Sequence, residues 1–299
     1  MKLKFKGFVG PVASLGIISL VMVLALFAPA ISKNMKADTN ATQNTVDYSE
    51  LKAELFSESG FNTKIVLGGT IPKLVENGAI DLEKFKQIYS ARGGLADEEL
   101  QLLIEPSNEQ LVIKPSNVNF LLNIMWALGI SNKNPILDEM SKYDSVGNLA
   151  STGGWTLSKN DSMAYFNKLE IVKLNEEQQA IFEEVAKNTY RPCCDNPTAF
   201  PDCNHGAALL ALLELGASQG MNETELYQLA LQVNTLWFPQ NYLSTAVLLK
   251  SQGVDYWSNA KEIAGVKYSS YSGWAANVYK PLQEKNLLPS AAGGGSCSV

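Results

Sequence analysis

His205-Gly-Ala-Ala-Leu-Leu-Ala-Leu-Leu-Glu-Leu-Gly-Ala-Ser-Gln219, closed by Gly220, sets the fold class. An Ala/Leu-rich run of this length that stops at a glycine has the composition and the C-terminal signal of a helix. Helical punctuation recurs on both sides of it. Asn175 with Gln178 makes a capping-box pattern ahead of Glu176–Asn188, and Asn222 with Glu225 repeats it ahead of Glu223–Leu236. Upstream, Asp81 opens Leu82–Ala91, which ends at Gly93-Gly94. Ser116 opens Asn117–Leu128, whose apolar residues lie almost all round, as in a central helix. Tyr242–Gln252 and Gly273–Lys285 complete the set, with Pro281 a kink or boundary in the last. Lys64–Leu67 and Leu111–Ile113 read as short strands, too few for a sheet-based fold. No repeat of solenoid length recurs. The expectation is a mainly α, compact multi-helix domain over residues 50–289. The loop Ser151-Thr-Gly-Gly-Trp155 is a candidate divide between lobes 50–150 and 156–289, although nothing between 50 and 289 has the composition of a flexible linker.

The chain has 299 residues, 46% apolar and 18% charged, enough to bury a proper core. That composition excludes a disordered chain, a collagen-like chain and a multi-span membrane protein. The net charge of -6 is unevenly spread. Residues 1–36 carry five lysines and no acid, which leaves 19 basic and 30 acidic residues, about -11, for the rest. An acidic body of this kind is not expected to bind nucleic acid.

Lys2, Lys4 and Lys6 precede a stretch, Gly7 through Ser32, without a charged residue. The apolar run Val12–Phe27 ends at Ala28-Pro29-Ala30, an A-x-A pattern. Residues 1–31 therefore read as a secretory signal peptide or an uncleaved signal anchor, the run being long enough to cross a bilayer as a transmembrane helix. Lysines before the run place the N-terminus inside and the bulk outside. The expected location is the cell membrane, single-pass with an extracytoplasmic domain, or the secreted state if the signal is cleaved. Residues 32–49, rich in Asn, Thr, Lys and Asp, read as a polar linker. Residues 290–299 form a Gly-rich tail that carries Cys297.

Three of the four cysteines and the single histidine fall within Cys193-Cys194-Asp-Asn-Pro-Thr-Ala-Phe-Pro-Asp-Cys203-Asn-His205. Proline and asparagine keep this segment out of a regular helix. In an extended loop Cys203 and His205, two residues apart, point the same way. His205 also starts the Ala/Leu helix, whose free N–H groups and positive dipole favour thiolate nearby, and Arg191 adds positive charge. Thiolates with one imidazole are a metal ligand set, so Cys193, Cys194, Cys203 and His205 are candidate ligands, with Cys297 as a replacement or resolving thiol. Zn or Cu is preferred to an iron–sulfur cluster, which would have to be assembled or delivered outside the cytoplasm.

Two other readings stay open. One is a disulfide-stapled interaction or binding module for a protein partner, which fits an oxidising compartment and an even cysteine count. Adjacent Cys193 and Cys194 do not readily bond to each other, so one would pair with Cys203 and the other with Cys297. The second is a thiol oxidoreductase using the adjacent pair.

Phe200-Pro-Asp-Cys203, with Cys194 nine residues earlier, resembles the three-Cys, one-His motif of the CDGSH iron–sulfur proteins. Here the first two cysteines are adjacent and His205 follows Cys203 by two residues rather than four, so no cluster is carried over. Tyr190-Arg-Pro-Cys-Cys, then Phe200-Pro-Asp-Cys-Asn-His-Gly206 and the Ala/Leu helix, is similar to a family of membrane-anchored bacterial and archaeal proteins with no established activity. Gly78-Ala-Ile-Asp-Leu-Glu-Lys-Phe85 and Ser151–Trp155 extend the likeness, which implies a site that travels as a unit and implies no chemistry. Gly78–Phe85 is also like the second half of a calcium loop, but lysine falls at the first and last ligand positions, so calcium is rejected. The C-x-x-C-H motif of haem attachment is absent, and multi-His zinc motifs are excluded by the single histidine.

Overall fold

The computed structural model describes residues 47–289 apart from residue 144. The signal or anchor over 1–31, most of the linker and the tail with Cys297 lie outside the described residues.

The chain runs α1 (Ser49–Leu55), β1 (Phe61–Gly68), α2 (Thr70–Glu76), α3 (Leu82–Ser90), α4 (Asp97–Ile104), β2 (Ser107–Ile113), α5 (Val118–Ser131) and α6 (Pro135–Met140). A long irregular stretch leads to α7 (Glu176–Asn188), α8 (Asn204–Ser218), α9 (Glu223–Trp237) and α10 (Pro239–Ser251). Short helices α11 (Ala260–Ala264), α12 (Val266–Ser269) and α13 (Tyr271–Trp274), a π segment Ala275–Tyr279 and α14 (Lys280–Glu284) finish it. The fold is mainly helical, as the sequence indicated. No helix among the described residues is long and apolar enough to cross a membrane.

α5 and α8 form the centre. In α8 every residue but Ser218 is buried, and in α5 every residue but Asn119. Their crossing has no room for a side chain: a Cβ on Gly129 would run into the Ala207 carbonyl. α7 and α9 flank α8, and α10 and α11 pack on α9. The capping boxes form as read, Asn175 with Gln178 and Asn222 with Glu225. Gly220 takes a positive φ of 85° behind α8, which glycine adopts without steric cost.

β1 and β2 pair antiparallel, with Phe61 opposite Ile113 and Val66 opposite Gln110, across register shifts. They are longer than read because their outer ends, Phe61-Asn62 and Ser107–Gln110, are poorly buried and do not alternate. α10 starts three residues earlier than Tyr242, with Pro239 in its first turn, where a missing N–H costs nothing. Pro281 follows the π segment, where the regular ladder has already given way. In the Ser151–Trp155 stretch Ser151, Thr152 and Trp155 are buried while Gly153 and Gly154 are exposed, and Ser151 offers its carbonyl to the Trp126 indole at 2.5 Å.

Candidate metal centre

The segment 189–203 is a loop fixed at several points. Its base closes through Thr198 N–H to the Thr189 carbonyl (2.8 Å) and the pair of threonine hydroxyls at 2.9 Å. Ala199 N–H donates to Ala186 of α7, and Tyr190 N–H to Ala264 of α11. Asn234 of α9 donates to the Tyr190 carbonyl, and Ser151 N–H to that of Asp202. From α13, Tyr271 N–H reaches the Cys194 carbonyl at 2.9 Å and Ser272 gives two hydrogen bonds to Asp195.

Arg191 lies at the heart of this loop with no exposed surface. Its Nε donates to Cys203 Sγ at 3.2 Å, and its terminal nitrogens to the Asn196 carbonyl (3.0 Å), the Phe200 carbonyl (3.5 Å) and the Asp202 carboxylate. A buried guanidinium is tolerated only when paired and hydrogen-bonded in this way. Burial opposes its charge, but the three cysteines beside it more than offset that and leave it firmly protonated. Gly206 makes room for it, since a Cβ there would lie 2.5 Å from the guanidinium.

The sulfurs gather around Cys203. Cys193 Sγ stands 3.6 Å from Cys203 Sγ, and Cys194 Sγ is 3.5 Å from Asp202 Oδ1. Cys203 is the N-cap of α8, and its sulfur accepts from Gly206 N–H at 3.4 Å. The helix therefore opens one residue earlier than read, because a sulfur takes the place of the usual capping oxygen. Hydrogen bonds from Cys193 and Cys194, with Arg191 close by, hold the Cys203 thiol well below its ordinary range. Cys193 is pushed up by its contacts with Cys194 and Cys203 and by burial. For Cys194 a lowering contact with Cys193 is outweighed by Cys203 and burial, and the thiol is pushed up to about 11. Cys203 is thus the most readily ionised of the three thiols, with Cys193 turned toward it and Cys194 toward Asp202.

His205 sits in the first turn of α8, not in an extended loop, yet it still reaches Cys203. Its ring packs on Trp237 and Phe238, with centroids 5.5 and 4.6 Å away. Its Nδ1 is buried and has no hydrogen-bond partner among the described residues. Burial holds the imidazole down to about 4, so it is neutral near pH 7 and carries a free lone pair.

The donor atoms of Cys193, Cys203 and His205 all lie within 4.8 Å of one another and could hold a metal ion. Two thiolates at about 2.3 Å on a tetrahedral ion stand about 3.8 Å apart, close to the spacing of Cys193 and Cys203. Cys194, Asp202 and Cys203 form a second such group, sharing Cys203. The carboxylate of Asp202 was not singled out in the sequence, although it directly precedes Cys203. The three described cysteines are free thiols. This corrects the disulfide reading as far as it bonded Cys203 to Cys193 or Cys194; the pairing with Cys297 lies outside the described residues. Comparison with protein-family models, with curated proteins and with solved structures finds no match for the chain.

Proposed function

We propose that the protein is a metal-binding protein, with Zn or Cu held by Cys193, Cys203 and His205 and with Cys194 completing the set. One observation carries the reading: two sulfurs at ligand spacing face a neutral buried imidazole whose Nδ1 has no other partner. The arrangement is prepared for the ion. Cys203 is the most readily ionised thiol and His205 is neutral, so the protons to be displaced are chiefly those of Cys193 and Cys194. Three thiolates and a dication leave one negative charge beside the Arg191–Asp202 ion pair, where the Arg191 Nε bond to Cys203 lessens its cost. The half-buried Cys193 and Cys194 give a route of entry, while His205 closes the far side. A bound ion would supply either a structural clasp on the loop or a Lewis-acidic centre. The basic and apolar pattern of residues 1–31 supports placing this centre outside the cell membrane.

The test is titration of the reduced full-length chain with Zn²⁺ against a chromophoric chelator, under anaerobic conditions. One ion per chain is expected, with binding weakened at least a hundredfold in Cys203→Ser. Absence of stoichiometric binding, or equal affinity in the variant, rejects the proposal.

The charge on Cys203 and its distance from Cys193 favour a second reading, a dithiol exchanging with disulfide substrates. Cys203 thiolate would attack a substrate disulfide and release one substrate thiolate. Cys193 would then lose its proton and displace the second, leaving a Cys193–Cys203 bond. Alkylation of Cys203 that is already fast at pH 6 supports this reading, and a rate that rises only above pH 8 rejects it.

A further inference from the structure

A second polar centre lies farther along α8. Glu214 is the only charged residue of that helix, and it is 2% exposed. One of its oxygens, Oε1, accepts from Asn132 Nδ2 at 2.9 Å and from Asn134 Nδ2 at 2.7 Å. The remaining polar atoms of these amides are satisfied within the protein. Asn132 Oδ1 accepts from Ile171 and Val172 N–H, and its second amide hydrogen goes to the Val172 carbonyl. Asn134 exchanges two hydrogen bonds with Gln179 and accepts from Ile136 N–H. Glu214 Oε2 takes no hydrogen bond from any described residue.

That carboxyl lines a cleft of about 450 Å³ where the ends of α5 and α6 meet α7. The size lies within the range of small-molecule sites, roughly 300–1,000 Å³. Pro135, Val172 and Leu174 give it apolar walls. Its rim carries Lys133 and Lys173, both drawn to Glu170 at 3.7 and 2.9 Å, together with Asp138 and Glu176. Three rim acids against two lysines leave a net of -1 before Glu214 is counted, so an anion is disfavoured. A hard metal ion is disfavoured as well. Both asparagines turn their Nδ2 groups, not their oxygens, toward Glu214, and the site lacks the ring of oxygens such ions need. What fits is a donor with a positive charge and an apolar body.

We propose that this cleft binds a small organic cation, a primary ammonium or guanidinium on a short apolar stem, with Glu214 Oε2 as its anchor. Asn132 and Asn134 act as positioning residues that hold the carboxylate by its other oxygen. Binding of a cation requires the ionised carboxylate. Burial raises Glu214 to about 7 against the lowering hydrogen bonds from Asn134 and Asn132. The charged groups around it are Lys133, Asp138, Glu170, Lys173 and Glu176 on the rim and Glu183 behind Gln179. Affinity therefore rises between pH 6 and pH 8, and the carboxyl releases its proton as the cation enters.

The experiment is calorimetric titration of the full-length chain with n-butylammonium and n-butylguanidinium at pH 6 and pH 8. Saturable binding of at least one is expected, about tenfold tighter at pH 8, with heats that depend on buffer ionisation as proton release requires. Glu214→Gln keeps the shape and removes the charge, and should weaken binding at least about tenfold. Leu174→Lys adds a like charge at the wall without touching Glu214, and should weaken it too. Failure of both probes to saturate overturns the proposal, as does unchanged affinity in Glu214→Gln. Neither result bears on metal binding by the cysteines.

Discussion

Gly206→Ala separates a packing account of the cysteine loop from a propensity account by the sign of its effect. Alanine is favoured over glycine in a helix interior by about 1 kcal/mol, so propensity alone predicts a more stable protein. The hydrogen bond from residue 206 N–H to Cys203 survives the change, because the amide is retained. The new methyl, however, would lie 2.5 Å from one Arg191 terminal nitrogen, 2.6 Å from Cζ and 2.9 Å from Nε. Relief requires the guanidinium to retreat by about 1 Å to ordinary van der Waals distance. It has nowhere to go, being fully buried and held by Cys203, Asn196, Phe200 and Asp202. Overpacking costs about 1–3 kcal/mol, and each charge-assisted hydrogen bond lost adds about 1.5–3 kcal/mol. With one such bond broken and the propensity gain subtracted, the variant should lose about 1.5–5 kcal/mol. Urea denaturation of the metal-free chain measures this as a lower midpoint at unchanged slope. The Cys203 thiolate would also lose part of its partner, so its alkylation should slow near pH 6. A midpoint equal to or above that of the wild type refutes the claim that Arg191 is immobile.

Two further outcomes follow from other parts of the molecule. Gly129→Ala should cost about 3 kcal/mol by forcing α5 from α8, whereas Gly220→Ala, at a positive φ with open space around it, should cost only about 1 kcal/mol. Equal losses in thermal unfolding would show that the crossing is looser than described. Glu214, raised by burial from an ordinary 4.5 to about 7, keeps its proton in the folded chain after the unfolded chain has released it. Its contribution to stability is therefore complete below about pH 4.5 and is lost as pH rises through about 7. Measured from pH 5 to pH 8, the wild type should lose stability relative to Glu214→Gln by an amount on the order of 3 kcal/mol. Parallel curves would refute the assignment. The opposite slope of His205, which resists protonation down to about 4, is common to both proteins and cancels in the difference.

The parts of the fold that were legible in sequence are those with local chemistry at their ends. The boxes at Asn175 and Asn222 placed the starts of α7 and α9 to the residue, because a side chain three positions on must answer the cap. α5 runs on to Ser131, beyond the Leu128 read from sequence, because no stop signal exists and Ser131 Oγ returns its bond to the Ala127 carbonyl. α1, α2, α4 and α6 went unread because helices of six to eight residues are too short for a periodic stripe to show. At the candidate metal centre the cysteines and His205 were legible from their crowding in the chain. The role of Arg191 was only half legible: its charge could be noted, but its burial depends on Gly206 and on carbonyls the loop presents only once folded. Glu214 did leave a signal, a lone acid in an Ala/Leu run, but its partners Asn132 and Asn134 come from a distant stretch of chain.

The clamps on the cysteine loop bear on how the protein is made. Residues 191–206 are near neighbours in sequence, so a nascent chain presents these three thiols and the imidazole together. Some of the bonds that fix the loop come from Ala264, Tyr271 and Ser272, some seventy residues later. Until the ribosome has delivered that C-terminal portion, the thiols are displayed without their scaffold, open to oxidation or to capture of the wrong ion. Truncation before residue 272 thus leaves a chain that carries the three thiols and the imidazole but lacks the C-terminal clamps on the loop.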